Sequence, residues 1–183
     1  MSEDLLITVD ERDQPLGPLD PASCHRGKGV LHRAFSVYLF DHRGCLLLQK
    51  RSARKSLWPR YWANSCCSHP RWGEDTAEAA HRRVGEELGI TVPLQHFFAF
   101  QYQAQFSKQG AEHEFCHVFA GVAESTLEPD PLEVEDWAFV DPLRLDDELE
   151  HRPDTYTPWL HLAWRALRRD HWRRITGLPL SSE

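Results

Sequence analysis

Residues 64–90, reading NSCCSHPRWGEDTAEAAHRRVGEELGI, constrain the fold of this chain more than any other stretch. A cysteine pair and a histidine come first (Cys66, Cys67, His69). Asp75 is placed to cap a helix, with Glu78 three residues on as its reciprocal partner. Ala77, Ala80, Val84 and Leu88 recur at helical spacing and predict a buried stripe. Gly89 predicts the stop, because it tolerates the left-handed conformation after a last turn. Arg83 and Glu87 are four apart and share a face. One loop and one helix thus supply a thiol, an imidazole, a guanidinium and a carboxylate, a mixture suited to a metal-bound anionic substrate.

The pattern on either side is mixed. Leu5 to Val9 predicts a first strand, and Asp10 to Pro21, rich in Asp, Pro and Gly, predicts a loop. Ala34 to Phe40 reads as a buried strand, Asp41 to Gly44 as a hairpin turn, and Cys45 to Gln49 as the returning strand. Phe97 to Phe106 and Glu112 to Val122 predict two long strands joined by the polar loop Ser107 to Ala111. Side chains alternate along a strand. Glu112, Glu114 and Cys116 therefore share one face, and His113, Phe115 and His117 the other. Glu124 to Asp136 reads mostly as loop, Trp137 to Val140 as a short strand and Pro142 to Glu150 as a short helix. Thr155 to Arg174 predicts one helix with Leu160, Ala163, Trp164 and Leu167 on its apolar face.

At 183 residues the chain is long enough for one domain with a real core, with an N-terminal arm over about 1–33 and a frayed tail over about 175–183. The net charge of −7 argues against general nucleic-acid binding. No apolar run approaches the roughly 18 residues of a membrane span. The acidic N-terminus has no signal-peptide pattern. Five cysteines, an odd number with two adjacent, suit reduced thiols in a cytoplasmic protein better than a disulfide frame.

Three groups of residues carry candidate chemistry. His25, His32, His69, Glu112 and Glu114 make a plausible five-ligand set for magnesium, manganese or zinc. Taken singly, a histidine is more often a surface or core residue than a ligand. Two acids at period two on an apolar strand need a partner if they face inward, and none if that face is solvated. Cys67 is a candidate nucleophile or acid/base group, against the commoner fate of a buried, inert cysteine. Arg51, Lys55, Arg83 and Lys28 suit a phosphate grip, against a solvated basic surface. Arg83 and Glu87 fit either a diphosphate clamp or an intrahelical salt bridge.

Together these residues resemble the Nudix superfamily and, within it, the type I isopentenyl-diphosphate isomerases. The superfamily box is G-x5-E-x7-R-E-U-x-E-E-x-G-U, with U bulky and apolar. Here it reads Ser68, Glu74, Arg82, Arg83, Val84, Glu86, Glu87, Gly89 and Ile90. Ser68 replaces the opening glycine. Arg83 replaces a glutamate that Nudix hydrolases use for metal, which speaks against hydrolysis of a diphosphate, the alternative activity. The resemblance to the isomerases spans about Leu5 to Trp164. It rests on His25, Leu31 to Ser36, Arg51 to Lys55, Trp58-Pro59, the run from Trp62 through Asn64, Ser65, Cys67 and His69 to Pro70, then Arg83, Glu87, Tyr102, Glu112, Glu114 and Pro158-Trp159. Relatives carry a lysine shortly before the first metal histidine. Pro21 stands there in this chain, leaving Lys28 or Arg26 to supply the charge.

The resemblance implies an α/β (α+β) fold of the Nudix type, with mixed β-sheets packed between helices. It implies an isomerase that moves the double bond between isopentenyl and dimethylallyl diphosphate. Cys67 and Glu114 would flank the substrate and exchange protons, Tyr102 would hydrogen-bond near Glu114, and Trp159 would offer its π face to a tertiary carbocation, worth ~2 kcal/mol when desolvated. The metal on His25, His32, His69, Glu112 and Glu114 would polarise the carboxyl group. Glu87 would hold a magnesium ion on the diphosphate, amid Arg51, Lys55, Arg83 and Lys28. The expected partner is a small isoprenoid diphosphate, with no nucleic acid or membrane, and the expected assembly a monomer or weak dimer.

Overall fold

A computed structural model describes residues 4–123 and 126–178. Its centre is strand β3 (His32–Phe40), whose residues are buried except for Arg33. A strand with both faces covered reads as a continuous apolar run. Phe35, Val37 and Leu39 point one way, and Tyr38 and Phe40 the other. Among the described residues nine strands join one mixed sheet. β1 (Leu6–Val9) and β2 (Pro15–Leu19) form a hairpin at one edge. β4 (Leu46–Arg51), β5 (Trp62–Ala63) and β9 (Val134–Val140) continue from the other end of β3. β6 (Cys66–Ser68) runs antiparallel to β3, and β8 (Gly110–Val122) parallel to it. β7 (Gln95–Phe106) closes antiparallel on β8.

Helices cover both faces, so the expected mixed sheet between helices is what forms. α2 (Thr76–Leu88) buries Ala79, Ala80, Val84 and Leu88 against Phe35, Val37, Leu39 and Leu47. On the other side α3 (Pro142–His151) and α4 (Pro158–Ala166) bring Leu145, Leu160, Ala163 and Trp164 onto Tyr38, Phe40 and Leu48. Both ends of α2 follow from sequence. Asp75 Oδ1 accepts from the amides of Ala77 and Glu78 at 2.8 and 3.1 Å. Gly89 ends the helix at φ 71°, where a Cβ would meet Glu128 Cβ at 2.8 Å.

Several expectations shift. The return bond from Glu78 is not made among the described residues, so Asp75 caps alone. Ala77 is exposed and Ala79 takes its place in the stripe, because the first turn of α2 faces solvent. The loop expected over Asp10 to Pro21 contains β2, whose amides and carbonyls pair with β1 despite two prolines at a sheet edge. The turn at Asp41 forms, with its Oδ1 accepting from Arg43 and Cys45 amides at 2.9 and 2.8 Å. β4 meets β3 at Phe40–Leu46, then runs along β9, so the hairpin splays. The single helix expected over Thr155 to Arg174 is α4, one π turn over Leu167–His171, and α5 (Trp172–Thr176). The expected frayed tail lies outside the described residues from 179 on. Within them Ile175 is buried in the core.

Candidate active site

Strand register builds the site. In the parallel ladder His32 sits opposite Glu114, and in the antiparallel one Tyr102 sits opposite the same Glu114. Ser36 of β3 faces Cys67 of β6. His25 ends the short helix α1 (Pro21–His25), which Asp20 caps through the Ser23 amide at 2.9 Å. Gly110 lets that helix approach β8, since a Cβ there would lie 2.5 Å from His25 O. His69 follows β6. Five side chains from four separate segments therefore converge.

His25, His32 and His69 form a triangle with ring centroids 5.0, 5.3 and 4.8 Å apart. Each ring is aimed by a different contact. His25 Nδ1 donates to Pro21 O at 2.6 Å and His32 Nδ1 to Val30 O at 2.7 Å, which turns both Nε2 atoms inward. His25 Nε2 lies 3.0 Å from Glu112 Oε2, and His69 Nε2 lies 2.9 Å from Glu114 Oε1. Among the described residues buried His32 Nε2 has no hydrogen-bond partner. Buried polar atoms are normally satisfied. Three inward imidazole nitrogens and two carboxylates, with His32 Nε2 left without a partner, fit a divalent cation. His25, His32, His69 and Glu112 each offer a ligand atom within 4.8 Å of the others.

The charges are strongly shifted. Burial raises Glu114, and the neighbouring Glu112 carboxylate raises it further. Burial alone would raise Glu112 too, but the His25 contact and the surrounding imidazoles outweigh it and hold it low. Burial opposes protonation of His25, yet Glu112 lifts it to about 9. Burial drives His32 down to about 4 and His69 down to about 3, so both keep a free lone pair at neutral pH. Burial pushes the Cys67 thiol up to about 12, against the pull of Arg51.

Arg51, Lys55, Cys67, Ser68, His69, Tyr102, Glu112, Glu114 and Trp159 line one cavity of about 120 Å³. Tyr102 Oη donates to Glu114 Oε2 at 2.7 Å. The Trp159 indole N–H donates to Cys67 Sγ at 3.1 Å, and Cys67 Sγ donates to Asn64 Oδ1 at 2.8 Å. Arg51 is fixed by donating to Trp58 O at 3.0 Å and Leu57 O at 2.9 Å, 5.2 Å from the Trp159 ring. Trp58 holds φ 46°, a strained value for a bulky residue, and packs edge-on to Trp159 at 5.3 Å.

Other candidates stand outside the wall. Arg83 donates to Glu87 Oε1 at 2.6 Å, so the intrahelical salt bridge is made, and it also reaches Glu86 at 2.8 Å and Glu133 at 3.2 Å. Glu87 Oε2 accepts from Gln49 at 3.2 Å. Glu133 also holds Lys55. Lys28 is not brought to the cavity. Its side chain is exposed, and its carbonyl accepts from Gln103 at 2.6 Å. Gly27 and Gly29, both at positive φ, carry the Lys28 turn over the outer edge of β7. Arg26 lines an adjoining recess with His25 and Leu57. Glu133 had no sequence signal, and Ser36 entered only within the matching run Leu31 to Ser36, with no role of its own. Glu133 lies in an acidic stretch where no single acid stands out.

The Nudix domain family matches residues 30–160. An isopentenyl-diphosphate Delta-isomerase of Serratia proteamaculans is 38% identical over 178 residues, covering 96% of this chain and 99% of its own length. Isopentenyl-diphosphate Delta-isomerase 1 of Aromatoleum aromaticum is 45% identical over 158 residues, covering 86% and 89%. Among solved structures, a Deinococcus radiodurans protein superposes with a TM-score of 0.74 at 23% identity, over 90% of this chain and 99% of its own. The MutT protein of Methanosarcina mazei gives 0.62 at 17%, over 76% and 94%. The structural likenesses concern the fold; the sequence relatives narrow the family. The chain belongs to the Nudix superfamily and, within it, to the isopentenyl-diphosphate Delta-isomerases.

Proposed function

We propose that the chain interconverts isopentenyl and dimethylallyl diphosphate in the cavity between Cys67 and Glu114. One observation carries this reading: a thiol and a carboxyl group line the same small, largely buried cavity, with Arg51 and Lys55 beside them. Moving a double bond by one carbon adds one proton and removes another. One of the two groups gives a proton to the alkene at one end, and the other takes one from the carbon at the far end. Proton count is conserved, and no bond to phosphate breaks. Tyr102 steadies Glu114, and Trp159 steadies Cys67, so both atoms are aimed before substrate arrives. The Trp159 ring also faces the space where positive charge would develop, and Trp58 buttresses it edge-on.

His25, His32, His69, Glu112 and Glu114 would hold a divalent metal, manganese, magnesium or zinc. Such an ion supplies positive charge that polarises the Glu114 carboxyl. Arg51 and Lys55 take the diphosphate. Arg83 and Glu87 extend this grip from the helix, and a magnesium ion carried by the diphosphate would replace Arg83 on Glu87. The expected assembly is a monomer or weak dimer acting in the cytoplasm. Among the described residues no helix is long and apolar enough to cross a membrane.

A diphosphate hydrolase is the weaker reading. The position where such enzymes place a metal-binding glutamate holds Arg83, whose guanidinium neutralises Glu86 and Glu87. The test is Cys67→Ala, assayed for turnover and for circular dichroism. Lost turnover in a folded variant supports the role of the thiol, and a fully active variant removes it.

A further inference from the structure

We propose that His96 and His117 form a second metal site, on the face of β7 and β8 opposite the catalytic cavity, for a transition-metal dication such as zinc, nickel or copper(II). His117 lies on the other face of β8 from Glu112, Glu114 and Cys116, so the sheet separates the two centres. His117 Nδ1 stands 3.2 Å from His96 Nε2. Two nitrogens bound to one ion at about 2.0–2.1 Å, with an angle near tetrahedral, would stand about that far apart. The rings are 5.3 Å apart and tilted by 48°, so both edges turn to the same point.

The surroundings prepare His117 as a ligand. Its Nε2 lies 2.9 Å from Asp13 Oδ2, which keeps the proton on Nε2 and leaves the Nδ1 lone pair aimed at His96. Asp13 is itself pinned, because Arg33 donates to its Oδ1 at 2.7 Å and to its carbonyl at 2.6 Å. A carboxylate behind a metal-binding imidazole is the usual supporting arrangement. Partial desolvation, with help from His117 and Arg174, lowers the pKa of His96, which favours the neutral imidazole that can bind a metal. The Arg174 guanidinium is occupied by the His96 carbonyl at 3.1 Å and by the Phe97 ring at 4.0 Å. His96 is exposed, which leaves room for water on the remaining coordination positions. Two imidazoles with no carboxylate bound directly to the ion select borderline ions over magnesium or calcium.

The experiment is calorimetric titration of the whole chain with zinc, comparing wild type with His96→Gln, His117→Gln and Asp13→Asn. Wild type should show a class of binding that His96→Gln removes or weakens at least 30-fold. Asp13→Asn should weaken the same class by about 10–100-fold. Isomerase turnover in His96→Gln should equal wild type, which separates this site from the catalytic centre. Should His117→Gln fail to fold, His96→Gln alone decides, since its exposed side chain meets the fold only edge-on at the Phe119 ring and at His117 among the described residues. Titrations of both histidine variants that superpose on wild type would overturn the site.

Discussion

The indole N–H of Trp159 points at the sulfur of Cys67 from 3.1 Å, linking helix α4 to strand β6 across the cavity. In the proposed reaction the ring would have two functions that substitution can separate. Trp159→Phe keeps an aromatic face and loses the donor. A neutral hydrogen bond is worth about 1 kcal/mol, so kcat/KM should fall about 5-fold. Trp159→Leu loses the face as well and should fall about 30-fold further, the equivalent of ~2 kcal/mol of cation–π attraction. Steady-state kinetics of the pair check this, and equal losses would deny the face any part.

Lys55 bridges to Glu133, which Arg83 also contacts, so a bound diphosphate would compete with one carboxylate for two cations. Lys55→Ala should raise KM about 10- to 100-fold, the worth of a charged hydrogen bond of about 1.5–3 kcal/mol. The effect on kcat should be small, because the contact is the same in ground and transition states. A fall in kcat at unchanged KM would contradict this role.

Gly110 sits where α1 crosses β8. Gly110→Ala would place a Cβ 2.5 Å from His25 O. Overpacking of this kind costs about 1–3 kcal/mol. The displaced helix carries His25, so metal affinity at the His/Glu centre should fall together with the denaturation midpoint. Wild-type metal binding in a destabilised variant would separate the two.

Glu74 accepts two bonds from Arg82, at 2.7 and 2.9 Å, and one from the Arg71 amide at 2.8 Å. The Arg82 bonds, against a smaller effect of burial, hold its pKa below the ordinary value of 4.5. A depressed carboxylate stabilises the fold above the unfolded pKa and loses that stability as pH falls through the folded one. Glu74→Gln should therefore cost about 1 kcal/mol at pH 7 and converge on wild type well below pH 4.5. Urea denaturation at several pH values reads this out, and an equal cost at all pH values would contradict it.

Much of this was legible in the sequence where one physical rule dominated. Alternation put Glu112, Glu114 and Cys116 on one face of β8, and the structure buries that face. Asp75 and Gly89 marked the ends of α2 because capping chemistry is local. Where tertiary pairing decided, the sequence was silent or misleading. Pro15 and Pro18 spelled loop, yet an edge strand against β1 tolerates them. The convergence of His25, His32 and His69 depends on which strand lies beside which, and spacing carries no such information. Lys28 had the right charge, but two glycine turns carry it to the outer edge of β7. Glu133 matters through Lys55 and Arg83, contacts that span 78 and 50 residues of chain.

Incubation of the metal-loaded chain with isopentenyl diphosphate and magnesium in deuterated water, followed by NMR, tests the proton-exchange account most directly. Deuterium should enter dimethylallyl diphosphate, with the diphosphate intact and no incorporation by Cys67→Ala. Release of phosphate or a monophosphate, without deuterium in any isoprenoid diphosphate, would contradict it.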